Sequence, residues 1–210
     1  MHNLALKAAA FGVFAATAAV PASAAVTITG SVTGVTVNST DPGLVIQASP
    51  LAFPTFTLNN VGDFAEFDVL TIGTSEGTVN FPDDFAPQPI SVAFSFSRPA
   101  GVSGTAITGT TTGFVDLNLF GSCGVIAGGC GSATFGAPSQ FVFNNGGRFS
   151  VGLSNVTFPT PGSATVTGRF TLLAAPVPEP STWALMLLGF GAIGAAMRSP
   201  ARRRVSVSYA

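Results

Sequence analysis

The sequence has very few of the side chains that most catalytic sites require. Its 210 residues include one histidine, His2, and one lysine, Lys7, and only 8% of the residues are charged. A chain that has neither histidine nor lysine beyond residue 7 cannot assemble the usual serine or cysteine triads. We therefore expect no catalytic residues, no cofactor and no enzymatic activity.

The segment between the two chain ends is short of positive charge. Residues 26–177 contain three basic and eight acidic residues, so their formal net charge is three minus eight, or minus five. The basic residues are Arg98, Arg148 and Arg169. The acidic residues are Asp41, Asp63, Glu66, Asp68, Glu76, Asp83, Asp84 and Asp116. Because a nucleic-acid interface needs a basic patch, we expect no nucleic-acid partner.

Tryptophan and tyrosine are nearly absent, with one of each against 19 phenylalanines. Sugar-binding surfaces usually present Trp or Tyr rings with a polar edge, and here Trp183 and Tyr209 lie in the C-terminal segment. A phenylalanine in a loop could still stack on a ligand. The candidates are Phe53, Phe56, Phe64 and Phe85. We expect most of the phenylalanines to pack in the core instead.

Long hydrophobic runs occur only at the two ends of the chain. At the N-terminus, a short basic stretch that ends at Lys7 precedes the apolar run 8–20, and Ala22 and Ala24 follow shortly after. This order is typical of a cleavable secretory signal peptide, with the two small residues at the cleavage site. We predict a signal peptide over residues 1–24; an uncleaved N-terminal anchor is the alternative.

The second apolar run, residues 181–197, has 17 residues without a charge. As a helix it would rise roughly 25 Å, at the short end for a bilayer crossing. Arg198, Arg202, Arg203 and Arg204 follow it, and such residues stay on the cytoplasmic side. We predict a transmembrane helix over 181–197 and a basic cytoplasmic tail over 198–210. A buried C-terminal helix is the alternative, but it would normally show a polar stripe.

A proline-rich linker, residues 174–180, precedes this run and ends in Pro178-Glu179-Pro180. Trp183-Ala184 follows the tripeptide. The order of tripeptide, Trp-Ala, apolar span and arginine cluster resembles the PEP-CTERM sorting signal of exported proteins in Gram-negative bacteria. The resemblance is limited to roughly the last thirty residues of the chain.

In that family an exosortase, a membrane protease-transpeptidase, recognises the signal, and the proteins that carry it are often linked to exopolysaccharide or the cell surface. The resemblance therefore implies an exosortase-like partner and a precursor anchored in the inner membrane. It assigns recognition to Pro178, Glu179, Pro180, Trp183 and Ala184. It assigns the basic stop to Arg198, Arg202, Arg203 and Arg204.

Between the two ends lie roughly 150 residues, a typical length for a single domain. Apolar residues alternate with small or polar ones, as in Val92, Phe94 and Phe96, and turn residues recur at short intervals. These patterns predict about eight to ten strands and an all-β domain over 25–173, an antiparallel β-sandwich or jelly roll. The alternation changes phase after Gly34, which indicates a bulge. The sequence Asn144-Asn145-Gly146-Gly147 predicts a hairpin turn.

Cys123 and Cys130 are the only cysteines. In an exported chain two cysteines this close favour a local disulfide, which would stabilise the fold by roughly 2.5 kcal/mol. Zinc binding lacks further ligands, because His2 leaves with the signal peptide, so we expect no metal at the cysteines. The spacing also differs from the Cys-x-x-Cys of redox sites.

Two groups of acids lie close together in sequence, Asp63, Glu66 and Asp68 in one and Asp83 and Asp84 in the other. Such groups could bind calcium through loops or supply the carboxylate pair of a glycoside hydrolase. Scattered surface acids that keep a protein of low charge soluble are the simpler interpretation.

These observations together predict a protein that is exported to the cell surface or extracellular matrix. We expect a structural or adhesive role in the envelope or exopolysaccharide. A carbohydrate- or calcium-dependent binding module is the main alternative, and a glycoside hydrolase is the third.

Overall fold

The computed structural model describes residues 25–115, 129–177 and 180–198. The predicted signal cleavage site at Ala22 and Ala24, the cysteine Cys123 and the arginines Arg202–Arg204 lie outside these residues, and so do Pro178 and Glu179. What was predicted for them is therefore not addressed by the structure.

The described chain is mostly β, with two six-stranded antiparallel sheets followed by a C-terminal helix. The first sheet has the strand order β11-β8-β7-β5-β1-β3. Its strands are β1 (Val26–Thr36), β3 (Phe56–Leu58), β5 (Gln88–Arg98), β7 (Ile107–Phe114), β8 (Cys130–Phe135) and β11 (Val156–Pro159).

The second sheet has the strand order β2-β4-β12-β10-β9-β6. Its strands are β2 (Gln47–Pro50), β4 (Phe64–Thr74), β6 (Ser103–Gly104), β9 (Ser139–Phe143), β10 (Gly147–Leu153) and β12 (Gly162–Ala174). The helix α1 spans Pro180–Arg198. The prediction that the region between the chain ends consists mainly of antiparallel β-strands is confirmed.

Phenylalanine rings join the two sheets, as the composition predicts. Phe96 on β5 packs edge-to-face on Phe149 of β10, with ring centroids 5.0 Å apart. It also packs on Phe141 of β9 at 5.1 Å. Phe149 and Phe170 are fully buried, and burying such a ring stabilises the fold by about 1.5–3 kcal/mol. The core therefore lies between the sheets and is largely aromatic.

The outward face of the first sheet carries hydroxyl groups and almost no charge. Alternate residues point outward, and most of those in this sheet are threonine or serine. They include Thr27, Thr29, Ser31, Ser91, Ser95, Thr108, Thr110, Thr112, Ser132, Thr134 and Thr157. The one charged residue in the six strands is Arg98, at the end of β5. We call these outward residues the hydroxyl face.

Neighbouring strands place these hydroxyls side by side. Thr110 lies opposite Thr134, and Thr112 lies opposite Ser132, with their side-chain oxygens 3.2 Å apart in the second pair. By contrast, the strands of the second sheet carry four charged residues: Glu66, Asp68, Arg148 and Arg169. The two sheets therefore present chemically different outer surfaces.

The predicted hairpin and bulge are both present. Strands β9 and β10 pair with Phe143 opposite Gly147, and the turn between them spans Asn144–Gly146. Asn145 and Gly146 adopt left-handed backbone angles, with φ of 62° and 76°, as a tight hairpin requires. The pairing of β1 with β5 shifts register between Val32 and Gly34, which is the predicted bulge.

The strand count differs from the prediction, because the described residues contain 12 strands instead of eight to ten. The additional strands are short edge strands, such as β3 with three residues and β6 with two. Such short strands have too few residues to show a period-two pattern.

The strand registers define two opposite ends of the domain. Ala174, the last residue of β12, lies opposite Arg148 at the start of β10, so β12 ends beside the β9–β10 turn. We call this end the linker end. At the other end, Gly162 of β12 lies opposite Thr74, the last residue of β4. The loops that follow Thr36 and Thr74 lie at that end and carry four acidic residues, Asp41, Glu76, Asp83 and Asp84.

Candidate functional site: an acidic loop cluster and the C-terminal sorting segment

Three carboxylates from two loops converge at the end of the domain opposite the linker end. Asp41 comes from the loop between β1 and β2, and Glu76 and Asp84 come from the loop between β4 and β5. One oxygen of each lies within 4.8 Å of the other two. Within the described residues this is the one group of three or more side chains suited to holding a metal ion. We call these three residues the acid cluster.

Asp84 is held in place by the backbone around it. It is 1% exposed, and its side-chain Oδ2 accepts a hydrogen bond from the Asn80 N–H at 2.6 Å. Its backbone carbonyl accepts a second hydrogen bond from the Gly113 N–H at 2.7 Å. A Cβ at position 113 would press against Asp84, so the glycine permits this close approach. The carboxylate position is therefore fixed by the fold.

Glu76 is the least satisfied member of the acid cluster. Its Oε1 accepts a long hydrogen bond from the Val45 N–H at 3.4 Å, while its Oε2 is buried and has no hydrogen-bond partner. Burial raises the pKa of Glu76 above its ordinary value, and the negative charges of Asp84 and Asp41 raise it further, against the lowering effect of the Val45 bond. A positive charge among the three carboxylates would favour the ionised form of Glu76.

The acid cluster differs from the acid groups that sequence proximity suggested. Asp84 was among the predicted candidates. Asp41 was not grouped with it, because three strands separate the two residues, and Glu76 was not grouped with it although it lies in the same loop. Asp83 next to it is outside the cluster. Calcium takes six to eight oxygen ligands, so three carboxylates could supply part of such a site, with the remainder from water or backbone carbonyls.

The first predicted group, Asp63, Glu66 and Asp68, makes three separate structural contacts. Asp63 accepts hydrogen bonds from the Asn59 and Asn60 N–H groups at 3.0 and 2.9 Å. Glu66 pairs with Arg169 at 3.6 Å. Asp68 accepts a hydrogen bond from the Thr167 hydroxyl at 3.2 Å. The three side chains thus do not act as one site.

A shallow groove of about 400 Å³ lies beside the Glu66–Arg169 pair. It is lined by Glu66, Gly152, Leu153, Ser154, Thr167 and Arg169. The lining contributes one carboxylate, which is already paired with an arginine, whereas the usual glycoside hydrolase mechanism uses two.

The four candidate phenylalanines have different surroundings. Phe53 is 9% exposed, and Phe56 packs on Phe67 and Phe170. Phe64 is 52% exposed, but the Arg169 guanidinium lies 3.7 Å from its ring centroid. Phe85 packs edge-to-face on the exposed Phe81 at 5.4 Å. No row of exposed rings follows a sheet face in the described strands.

Cys130 is the first residue of β8 and is 1% exposed. The described residues contain no free cysteine. Because Cys123 lies outside them, the disulfide between the two stays a prediction.

The linker between β12 and the predicted sorting motif is short and attached to the domain. Three residues separate Ala174 from Pro178. The last of them, Val177, donates a backbone hydrogen bond to the carbonyl oxygen of Asn145 in the β9–β10 turn at 3.1 Å. The chain therefore leaves the domain at the hairpin turn, immediately before the tripeptide.

The helix α1 coincides with the predicted apolar segment. It begins at Pro180 and ends at Arg198, and its residues from 182 onward are exposed, with Trp183 at 52%. None of the described helices has the length and apolar character that crossing a membrane requires. The segment 181–197 that the sequence predicts as a transmembrane helix is helical in the structure.

Comparison with known proteins identifies only this C-terminal segment. No curated protein matches the chain, and no solved structure matches it. The family model of the PEP-CTERM protein-sorting motif matches residues 176–204. This range contains the tripeptide, the Trp-Ala pair, the helix and the arginines, as the sequence predicted. Residues 176–204 are thus a PEP-CTERM protein-sorting motif, the signal of an exported substrate that an exosortase-like enzyme processes at the cell envelope.

Proposed function

We propose that this chain is a surface or extracellular-matrix protein whose β domain has a structural or adhesive role. The precursor is exported with the domain on the periplasmic side and is held at the inner membrane by its C-terminal segment. The exosortase-like enzyme then removes that segment, and the domain passes to the envelope or exopolysaccharide. The observation that carries the proposal is the sorting motif at residues 176–204.

The hydroxyl face supports the adhesive part of the proposal. Strands β7 and β8 present exposed Thr108, Thr110 and Thr134 with no charged residue among them. An uncharged surface of short, stiff side chains loses little conformational entropy when it is covered. It also avoids the desolvation of charges that contact with a neutral polymer would require. In this proposal the domain is not an enzyme.

Replacement of Pro178-Glu179-Pro180 by three alanines tests the proposed sorting. The parent should reach the cell surface as a shortened species, and the alanine variant should accumulate as a full-length precursor in the membrane fraction. A second variant, Asp68→Asn, changes a carboxylate on the sheet surface far from the motif and should be processed as the parent is. Equal processing of the alanine variant would contradict the proposal.

A calcium-dependent binding module is the second candidate, and the acid cluster favours it. Asp41, Glu76 and Asp84 bring three carboxylates within 4.8 Å of one another, and the Oε2 of Glu76 is buried without a partner. A calcium ion there would neutralise the repulsion that raises the pKa of Glu76. Calcium titration of the purified protein tests this candidate.

A further inference from the structure

The hydrogen bond from Val177 to Asn145 determines where the sorting tripeptide leaves the domain. The N–H of Val177 donates to the carbonyl oxygen of Asn145 at 3.1 Å, and Pro178 is the next residue. The chain therefore leaves the domain beside the β9–β10 turn, immediately before the tripeptide.

The acceptor side of this contact is rigid. Asn145 and Gly146 both have left-handed backbone angles, which fix the direction of the Asn145 carbonyl. The side chain of Phe143 packs against Gly147, where a Cβ would collide with the ring. Phe143 is 5% exposed and its ring lies 6.1 Å from that of Phe149 in the core. The turn is thus anchored directly to the aromatic core.

The donor side is also fixed up to the last residues of β12. Leu172 is fully buried. Its carbonyl accepts a hydrogen bond from the Gly62 N–H at 2.8 Å, and its N–H donates to the Asp63 carbonyl at 3.0 Å. Ala174 pairs with Arg148 on β10. Only residues 175 and 176 separate this paired strand from Val177. The connection is therefore too short for Val177 to move far from the end of β12.

We propose that the Asn145–Val177 hydrogen bond is a positioning contact for processing. It fixes the point at which the chain leaves the domain, immediately before the tripeptide, so that the processing enzyme meets the tripeptide close to the β9–β10 turn. The turn is then part of the surface that the enzyme contacts, and the folded β domain contributes to processing. This inference rests on the proposed sorting function and adds a contribution of the folded domain to it.

The contact can be broken from either side with a matched control. Val177→Pro removes the donating N–H, whereas Val177→Ala retains it. Asn145→Val places a β-branched residue at φ 62°, where such residues are outliers, whereas Asn145→Gly accepts that angle. The two disruptive variants change different segments, so a shared effect on processing identifies the contact itself.

The experiment measures the rate at which full-length precursor converts to the shortened form in the native host, by pulse labelling. Val177→Pro and Asn145→Val should each slow conversion roughly fivefold, the factor expected for loss of one hydrogen bond. The two controls, Val177→Ala and Asn145→Gly, should convert at the parental rate. Hydrogen exchange should show that the Val177 amide is protected in the parent and loses protection in Asn145→Val.

Conversion of both disruptive variants at the parental rate would overturn the positioning contact and leave the proposed sorting intact. A parent that is never shortened would instead overturn the proposed function, and the positioning contact with it. Slowing in Asn145→Val alone would also overturn the inference, because the effect would then belong to the hairpin and not to its contact with Val177.

Discussion

The carboxyl groups of Glu76 and Asp84 lie within 4.8 Å of each other in the same loop. Asp84 Oδ2 is satisfied by the Asn80 N–H, whereas Glu76 Oε2 is buried with no partner. Burial is the main cause of the raised pKa of Glu76, and the charge of Asp84 is the second. The loop therefore keeps two acids together at a cost to the stability of the domain, and that cost depends on pH.

The raised pKa predicts a pH dependence of stability with a definite sign. Because the pKa of Glu76 is higher in the folded protein than its ordinary value of 4.5, the folded state binds more protons than the unfolded state between those two values. The contribution of Glu76 is fully present below about pH 4.5 and is lost as the pH rises through the folded-state pKa. Glu76→Gln should remove this loss and stabilise the protein at neutral pH.

Urea unfolding at a series of pH values from acid to neutral measures this effect in metal-free buffer. The unfolding free energy of Glu76→Gln should fall less steeply with rising pH than that of the parent. Asp68→Asn, which changes an exposed carboxylate outside the acid cluster, is the control and should retain the parental slope. Identical slopes for the parent and Glu76→Gln would contradict the assignment.

Calcium should reverse the order of stability in the same pair of proteins. An ion that binds only the folded state stabilises it by about 1.4 kcal/mol when its concentration is ten times Kd. The melting temperature of the parent should therefore rise with calcium, and Glu76→Gln and Asp84→Asn should lose most of the increase. A parent with no shift up to millimolar calcium, the range of weak extracellular sites, would exclude the calcium-dependent candidate.

The aromatic core predicts that removing a buried ring lowers the free energy of unfolding much more than removing an exposed ring. Phe149 is fully buried and packs on Phe96 at 5.0 Å, so Phe149→Ala should lower the free energy of unfolding by about 3–5 kcal/mol. Phe81 is 82% exposed, and Phe81→Ala should change it by less than about 0.5 kcal/mol. Denaturant titration compares them, and similar losses would contradict the packing between the sheets.

The disulfide remains a prediction from the two cysteines. Peptide mapping of the exported protein without reduction should find Cys123 linked to Cys130. Replacing both by serine should lower the free energy of unfolding by roughly 2.5 kcal/mol. Alkylation of both thiols without prior reduction would show that the bond is absent from the mature protein.

The sequence predicted the features that depend on local patterns. The hairpin at Asn144-Asn145-Gly146 and the bulge at Gly34 were predicted because left-handed turns and register shifts have clear glycine and asparagine signatures. The sorting motif was predicted from four features in fixed order, and residues 176–204 match its family model.

The acid cluster and the linker contact could not be predicted in the same way. Asp41 and Glu76 are separated by three strands, and only the register of β2 on β4 brings their loops together. Val177 donates through its backbone to a carbonyl in another loop, and a backbone contact leaves no signature in residue identity. Both features depend on tertiary structure and not on neighbouring residues.

The central claim is that the protein is sorted and processed by an exosortase-like enzyme. The intact mass of the surface form from its native host tests this claim most directly. The account predicts a species that lacks the signal peptide, residues 1–24, and everything from about Trp183 onward. A mature surface protein that still carries Arg202 to Ala210 would contradict it.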